Sequence, residues 1–242
     1  NALDTFLDDS DKTFRDMKKD QSELFGVNNL LDIKILKVKF KYPNSKSYTL
    51  NDISLSISPG EFVAIVGESG SGKTTLIDLI TKLIVPSSGS ITINSRDLTK
   101  INSLSWQSYI SYVGQESFVF SASIYENIHM YSENVDYEWL DKCIEYVNLD
   151  KLINSLDKGG ETMIGEGFRK ISGGQMQKLN IARAIYRKPK LLILDEATSN
   201  QDIDNEEIII NLINKLKGKI TIIVVAHRLN SITSADNIFL FK

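Results

Sequence analysis

At 242 residues and 42% apolar content the chain can bury a full core, as one domain with a lobe or as two. Its 28 basic and 31 acidic residues leave a net charge of −3, which excludes the basic footprint of a nucleic-acid partner. No uncharged apolar run approaches the ~18 residues that a membrane helix needs, so the chain as given reads as soluble. One cysteine, Cys143, rules out a disulfide within the chain, and its company of Leu140, Ile144 and Val147 marks it as a buried small hydrophobe in a reducing compartment.

Residues 1 to about 30 are charged and poor in branched apolar side chains, as in a solvated linker. Ile33–Phe40 and Leu50–Ile57 alternate apolar with polar residues, the pattern of half-exposed antiparallel strands. Asn51-Asp52 and Ser58-Pro59-Gly60 read as turns, and Ser90–Ile93 repeats the strand signal. The run Phe62-Val63-Ala64-Ile65-Val66 reads as a buried strand, and Thr75–Leu83 has helical character.

Between these last two lies Gly67-Glu68-Ser69-Gly70-Ser71-Gly72-Lys73-Thr74, a full G-x4-G-K-[ST] phosphate loop in its strand-loop-helix context. The glycines let consecutive N–H groups turn inward on the α- and β-phosphates, and the helix adds its positive end. Lys73 brings a mobile ammonium to the β- and γ-phosphates, and Thr74 offers a hydroxyl to Mg²⁺, a hard cation that prefers oxygen. This predicts a nucleoside triphosphate with magnesium.

From Gln115 to about Tyr186 the pattern turns helical. Trp139, Leu140, Cys143, Ile144 and Val147, then Leu152, Ile153 and Leu156, recur at three- and four-residue spacing. Trp139 and Tyr146 read as packing aromatics. Ile171-Ser172-Gly173-Gly174-Gln175 precedes an amphipathic helix with Leu179, Ala182 and Tyr186 on one face, and Ser172 stands at the N-cap. Alone, this loop is equally a capped helix start and an anion site; its place among the other motifs favours the anion site.

Pro189 ends that helix, and Leu191-Leu192-Ile193-Leu194-Asp195-Glu196 follows as a buried parallel strand with carboxylates at its C-terminal edge, where open α/β sheets bind ligands. Asp195 is placed to hold the magnesium shell beside Thr74, and Glu196 to orient and deprotonate water. Asp202–Leu216 reads as a helix, Ile220–Ala226 as a buried strand ending in His227, and Ile238–Phe241 as a last short strand. A lone histidine after a strand is usually structural; here it shares a sheet edge with Lys73 and Asp195. The expected fold is α/β: a mostly parallel sheet flanked by helices, with an N-terminal antiparallel β-subdomain and an inserted helical subdomain at about 115–186.

The order phosphate loop, Gln115, ISGGQ, LLILDE, His227 resembles the nucleotide-binding domain of ABC (ATP-binding cassette) transporters from about Leu31 to Lys242. The resemblance implies a P-loop ATPase that binds ATP and Mg²⁺ through residues 67–75, with Thr74, Gln115 and Asp195 around the metal. It implies Tyr42, in Lys41-Tyr42-Pro43, as the aromatic that stacks on adenine, and Gln115 as the sensor between γ-phosphate, metal and membrane domain. It further implies Glu196 as catalytic base, His227 as the switch histidine and Ser199-Asn200-Gln201-Asp202 as the D-loop. Ser172, Gly173, Gly174 and Gln175 would act on nucleotide held by the opposite copy of an ATP-dependent homodimer, so an isolated monomer would hydrolyse poorly.

Phe120–Ile128 is similar to the "ENI" segment, and Thr162–Gly167 to the X-loop, of exporters and flippases whose membrane domain shares the polypeptide. Their bland alternative is surface loop and helix. The implied setting is the cytoplasmic face of a cell membrane. Residues 1–30 are then either the run-in from a membrane helix or a solvated tail, and the stop at Lys242 reads as a trimmed end. A stand-alone ATPase subunit of an importer and a soluble ABC ATPase are the alternatives. Departures are Ile171 in place of leucine, Phe168 in place of a second X-loop glycine, and Asn200-Gln201 in place of Ala-Leu.

Overall fold

The computed structural model describes residues 30–195, 203–226 and 234–242, the side chains of 203–206 excepted. The first strands are β1 (Ile33–Phe40) and β2 (Leu50–Ile57), which pair antiparallel. Asn51 and Asp52 do not form the expected turn. They lie within β2, where Asp52 takes φ 62 and the register with β1 shifts on either side of Val38. Residues chosen by turns for their tolerance of positive φ here build a bulge. After the turn at Ser58–Gly60 come β3 (Phe62–Gly67) and α1 (Lys73–Ile80), then β4 (Ser88–Ile93) and β5 (Arg96–Asp97). Strands β2-β1-β4-β5 form one antiparallel sheet. Helix α2 (Ser103–Ser108) follows, and its buried Trp106 donates Nε1–H to the Ile80 carbonyl (2.7 Å), closing one free acceptor at the end of α1.

The second sheet positions the chemistry. Strands β6 (Ile110–Val113), β9 (Leu191–Asp195), β10 (Thr221–Ala226) and β11 (Asn237–Phe241) join β3 in the order β11-β3-β10-β9-β6, every neighbour parallel. Its side chains alternate between two cores. Val63, Ile65, Leu191, Ile193, Ile223 and Val225 pack with α1, α2 and the antiparallel sheet. Phe62, Ala64, Leu192, Leu194, Ile222 and Val224 pack on the opposite face. Burial on both faces explains why LLIL and IIVVA are unbroken apolar runs, each buried Leu, Ile or Val contributing about 1.5–3 kcal/mol.

That opposite face is covered by helices. These are α3 (Ile124–His129), α4 (Tyr137–Tyr146), α5 (Asp150–Asn154), α6 (Gly173–Tyr186) and α7 (Ile203–Leu216). The stretch from 115 to 186 is not wholly helical, however: β7 (Ala122–Ser123) pairs antiparallel with β8 (Met163–Ile164). The "ENI" stretch and the 162–167 loop are therefore hydrogen-bonded to one another. Gly165 takes φ 103 under the Phe120 carbonyl, whereas Phe168 has an ordinary φ and half-exposed ring, so nothing at 168 demands glycine. Trp139 and Tyr146 pack edge to face at 6.2 Å against the core, as expected of structural aromatics. Among the described residues no helix is long and apolar enough to cross a membrane.

Two side chains make this packing testable. Cys143 is fully buried, which pushes its thiol up to about 12; alkylation by iodoacetamide at neutral pH is expected only in denaturant, and fast labelling of the folded chain would contradict this core. Asp236 accepts from Phe62 N (3.0 Å) and from Lys217 Nζ (2.6 Å). Burial pushes its carboxyl up, but the Lys217 ammonium and the Phe62 N–H more than offset this and leave it below the ordinary 3.8. A lowered folded value means stability that is present above 3.8 and lost as pH falls through the folded value. Asp236→Asn should lower the urea midpoint at neutral pH, and the gap to the parent should close in acid.

Candidate active site

Apart from Gly67, which closes β3 and where a Cβ would run into the Phe241 carbonyl, residues 67–72 form no regular element; they join β3 to α1. Gly72 is the N-cap of α1 at φ 95, and a Cβ there would meet Leu50 Cδ2 at 2.7 Å and the Thr49 carbonyl at 3.1 Å. Because glycine has no side chain to offer, the first N–H groups of α1 have no side-chain acceptor. On α3, α4 and α6 such a group is taken by Ser123, Asp136 and Ser172. The uncapped donors at the start of α1 suit an anion.

Lys73 is nearly buried, with Nζ donating to the carbonyls of Gly67 and Glu68 at 2.8 Å each. An ammonium has three donors, so one is left for an incoming oxygen. Ser71 Oγ is buried with no hydrogen-bond partner, and the Thr74 side chain is exposed. Tyr42 stands edge-on to Phe40 with ring centroids 4.9 Å apart, and its hydroxyl lies 3.2 Å from Thr75 Oγ1. Together Tyr42, Thr49, the loop residues Ser69, Gly70 and Gly72 and the first turn of α1 border a cleft of ≈ 320 Å³ that is polar at the loop and aromatic at one wall. That donor set and that shape fit a triphosphate with a flat base.

The sheet register brings the other groups to the same edge. Val225 pairs with Ile65 on one side and Asp195 on the other, and Leu194 pairs with Val113. Gly67, Asp195 and Gln115 therefore all lie at C-terminal ends of parallel strands, with Gln115 exposed two residues beyond β6. Asp195 is almost buried and accepts from Tyr112 Oη at 2.7 Å. Burial, and then the neighbouring Asp195, raise the carboxyl of Asp78, one helical turn beyond Thr74. Tyr112 and Asp78 were not foreseen. Tyr112 is the one exposed position in β6, three residues before Gln115, an exposure that only the folded chain shows. Glu196, Asn200, Gln201, Asp202 and His227 lie outside the described residues.

The ISGGQ residues are not part of the phosphate-loop cleft. Ser172 and Gln175 form a reciprocal capping box at the start of α6: Ser172 Oγ accepts from Gln175 N (3.2 Å) and Gln175 Oε1 from Ser172 N (2.9 Å). One N–H of this helix start, that of Gln175, is thus already taken by the cap, while Ser172 and Gly173 remain exposed. Gln175 borders a separate polar cleft with Lys178 and Lys151.

The profile of the ABC transporter family matches residues 50–199, more than half of the chain. The chain belongs to the ABC transporter family. It is 35% identical over 93% of its length to a probable microcin-H47 secretion/processing ATP-binding protein of Escherichia coli. It is 42% identical over 88% of its length to a putative export ATP-binding/permease protein of Rickettsia typhi. A bacterial Atm1-family ABC exporter solved with ATP bound superposes with a TM-score of 0.80, at 30% identity over 88% of the cassette. The cassette spans only 32% and 38% of those two curated relatives and 38% of the solved chain. Membership makes it an ATP-binding ATPase domain, and the α/β fold agrees.

Gly70 and Gly72 separate backbone freedom from space. Both have positive φ, but a Cβ on Gly70 meets nothing within 4 Å. Gly70→Ala should cost ATP affinity modestly, whereas Gly72→Ala should abolish measurable binding of a fluorescent ATP analogue with the fold intact by circular dichroism. Equal affinities in the two variants would contradict the packing described for this turn.

Proposed function

We propose that this cassette is the motor of an exporter- or flippase-type transporter, closing head to tail with a second copy on ATP and driving a membrane domain in the same native polypeptide. The observation that carries the reading is the common sheet edge of Gly67, Asp195 and Gln115. Support for the exporter type comes from the β7–β8 pairing, which ties the 120–128 stretch to the 162–167 loop, and from relatives named for export and secretion.

In this mechanism Tyr42 stacks on adenine, and Gly67, Glu68, Ser69, Gly70, Ser71, Gly72, Lys73, Thr74 and Thr75 hold the phosphates. Thr74, Gln115 and Asp195 would hold Mg²⁺, which neutralises charge on the transferring phosphoryl oxygens. Ser172, Gly173, Gly174, Gln175 and Asp202 approach from the opposite copy. Glu196 takes a proton from the attacking water, and His227 steadies the γ-phosphoryl group. Positioned charge does most of the catalytic work. Gln115 and residues 162–167 transmit closing and opening to a membrane domain at the cytoplasmic face of the membrane.

Glu196→Gln should leave ATP affinity within a few-fold and lower kcat by about 100-fold or more, the range of a lost general base; an undiminished kcat would remove Glu196 from that role. An antibody raised against this 27.2 kDa chain should detect, in carbonate-washed membranes, a native polypeptide more than twice that mass. A released band near 27.2 kDa would instead mean a separate ATPase subunit.

A further inference from the structure

Arg183 lies on the buried face of α6, eleven residues beyond Ser172, with only 8% of its surface exposed. Its Nε donates to the Asn127 carbonyl (2.7 Å), Nη1 to Asn180 Oδ1 (2.7 Å) and Nη2 to Asn127 Oδ1 (3.1 Å). Both terminal nitrogens reach the Phe118 carbonyl at 3.4 Å, and the rings of Phe118 and Phe120 cover the guanidinium at 4.8 and 5.3 Å. Asn127 on α3 is fully buried. Its Oδ1 also accepts from Phe120 N (2.8 Å), and its Nδ2 donates to the carbonyls of Phe120 and Ser123 at 3.0 Å and of Ala122 at 3.4 Å.

A buried cation is costly unless fully bonded, and this one is spent on an irregular segment. Residues 116–120 leave the loop of Gln115 with no strand or helix of their own. The backbone of Phe118 and Phe120 is held by the two side chains, one on α3 and one on α6. None of these bonds reaches the phosphate loop. We infer that Arg183 and Asn127 are positioning residues that clamp the loop carrying Gln115 to the helix carrying ISGGQ, so that a displacement of one is delivered to the other. Three helical turns, about 16 Å of rigid α6, separate the clamp from Ser172. The assignment rests on the proposed roles of Gln115 and ISGGQ.

The test compares the full chain with Arg183→Lys, which keeps the charge but loses the planar fork, with Gln115→Ala and with the double variant. Amide exchange of peptide 116–121 should quicken about tenfold in Arg183→Lys, with peptide 73–83 unchanged. ATP affinity should hold within twofold while kcat falls about tenfold, and in the Gln115→Ala background the same change should cost less than twofold. Equal loss of kcat in both backgrounds, or uniform quickening across residues 73–83 and 124–186, would overturn the clamp as a coupling device. Should Arg183→Lys not fold, Phe118→Ala, at a half-exposed ring, replaces it; unchanged exchange of 116–121 would then overturn the proposal. A parent chain without ATP turnover at concentrations that drive two copies together counts against the proposed function, and the exchange measurement still decides the clamp.

Discussion

The parallel pairing of β3, β10, β9 and β6 is the constraint on which the rest depends. Each strand gives side chains to both cores, so a slip of one residue would turn them into the wrong core. The register is thereby held, and with it the level at which each strand ends. Because the strands run the same way, all their C-terminal ends open on one edge. A loop that wraps phosphates, a carboxylate and a glutamine come to share that edge though they lie up to 128 residues apart in sequence, from Gly67 to Asp195.

On that base the two faces take different tasks. One face is closed by α1, α2 and the antiparallel sheet, whose β1–β2 unit leads through a bulge at Asp52 to Tyr42 and the mouth of the cleft. The other is closed by the helices that carry ISGGQ and the β7–β8 pair. Between them run irregular segments whose backbone polar groups no ladder satisfies. Such groups need other partners, and Asn127 on α3 and Arg183 on α6 supply them to Phe118 and Phe120.

Much of this was legible in the residues. The limits of β1 and β2 were read to the residue, because half-exposed strands alternate, and the buried strands were read because they cannot. The turn at Asn51-Asp52 was misread, since tolerance of positive φ serves a bulge as well as a turn. The 115–186 stretch hid an antiparallel pair of two-residue strands, too short for any periodicity. Tyr112 was overlooked because a tyrosine in a strand carries no catalytic signature until the carboxylate it faces is known.

By itself the sequence determined the local chemistry: a glycine-rich loop that suits a phosphate, a lysine and threonine at its end, an apolar run closing in two acids, and a serine cap before two glycines. Those are short-range properties, set by backbone freedom, capping and periodicity. The tertiary structure alone decided which of them meet. It joined Asp195 to Tyr112, tied residues 120–128 to 162–167, kept ISGGQ outside the phosphate-loop cleft, and put an arginine under two phenylalanines some 65 residues away. Contacts of that kind arise from strand register and helix packing across the whole core, and no local pattern encodes them.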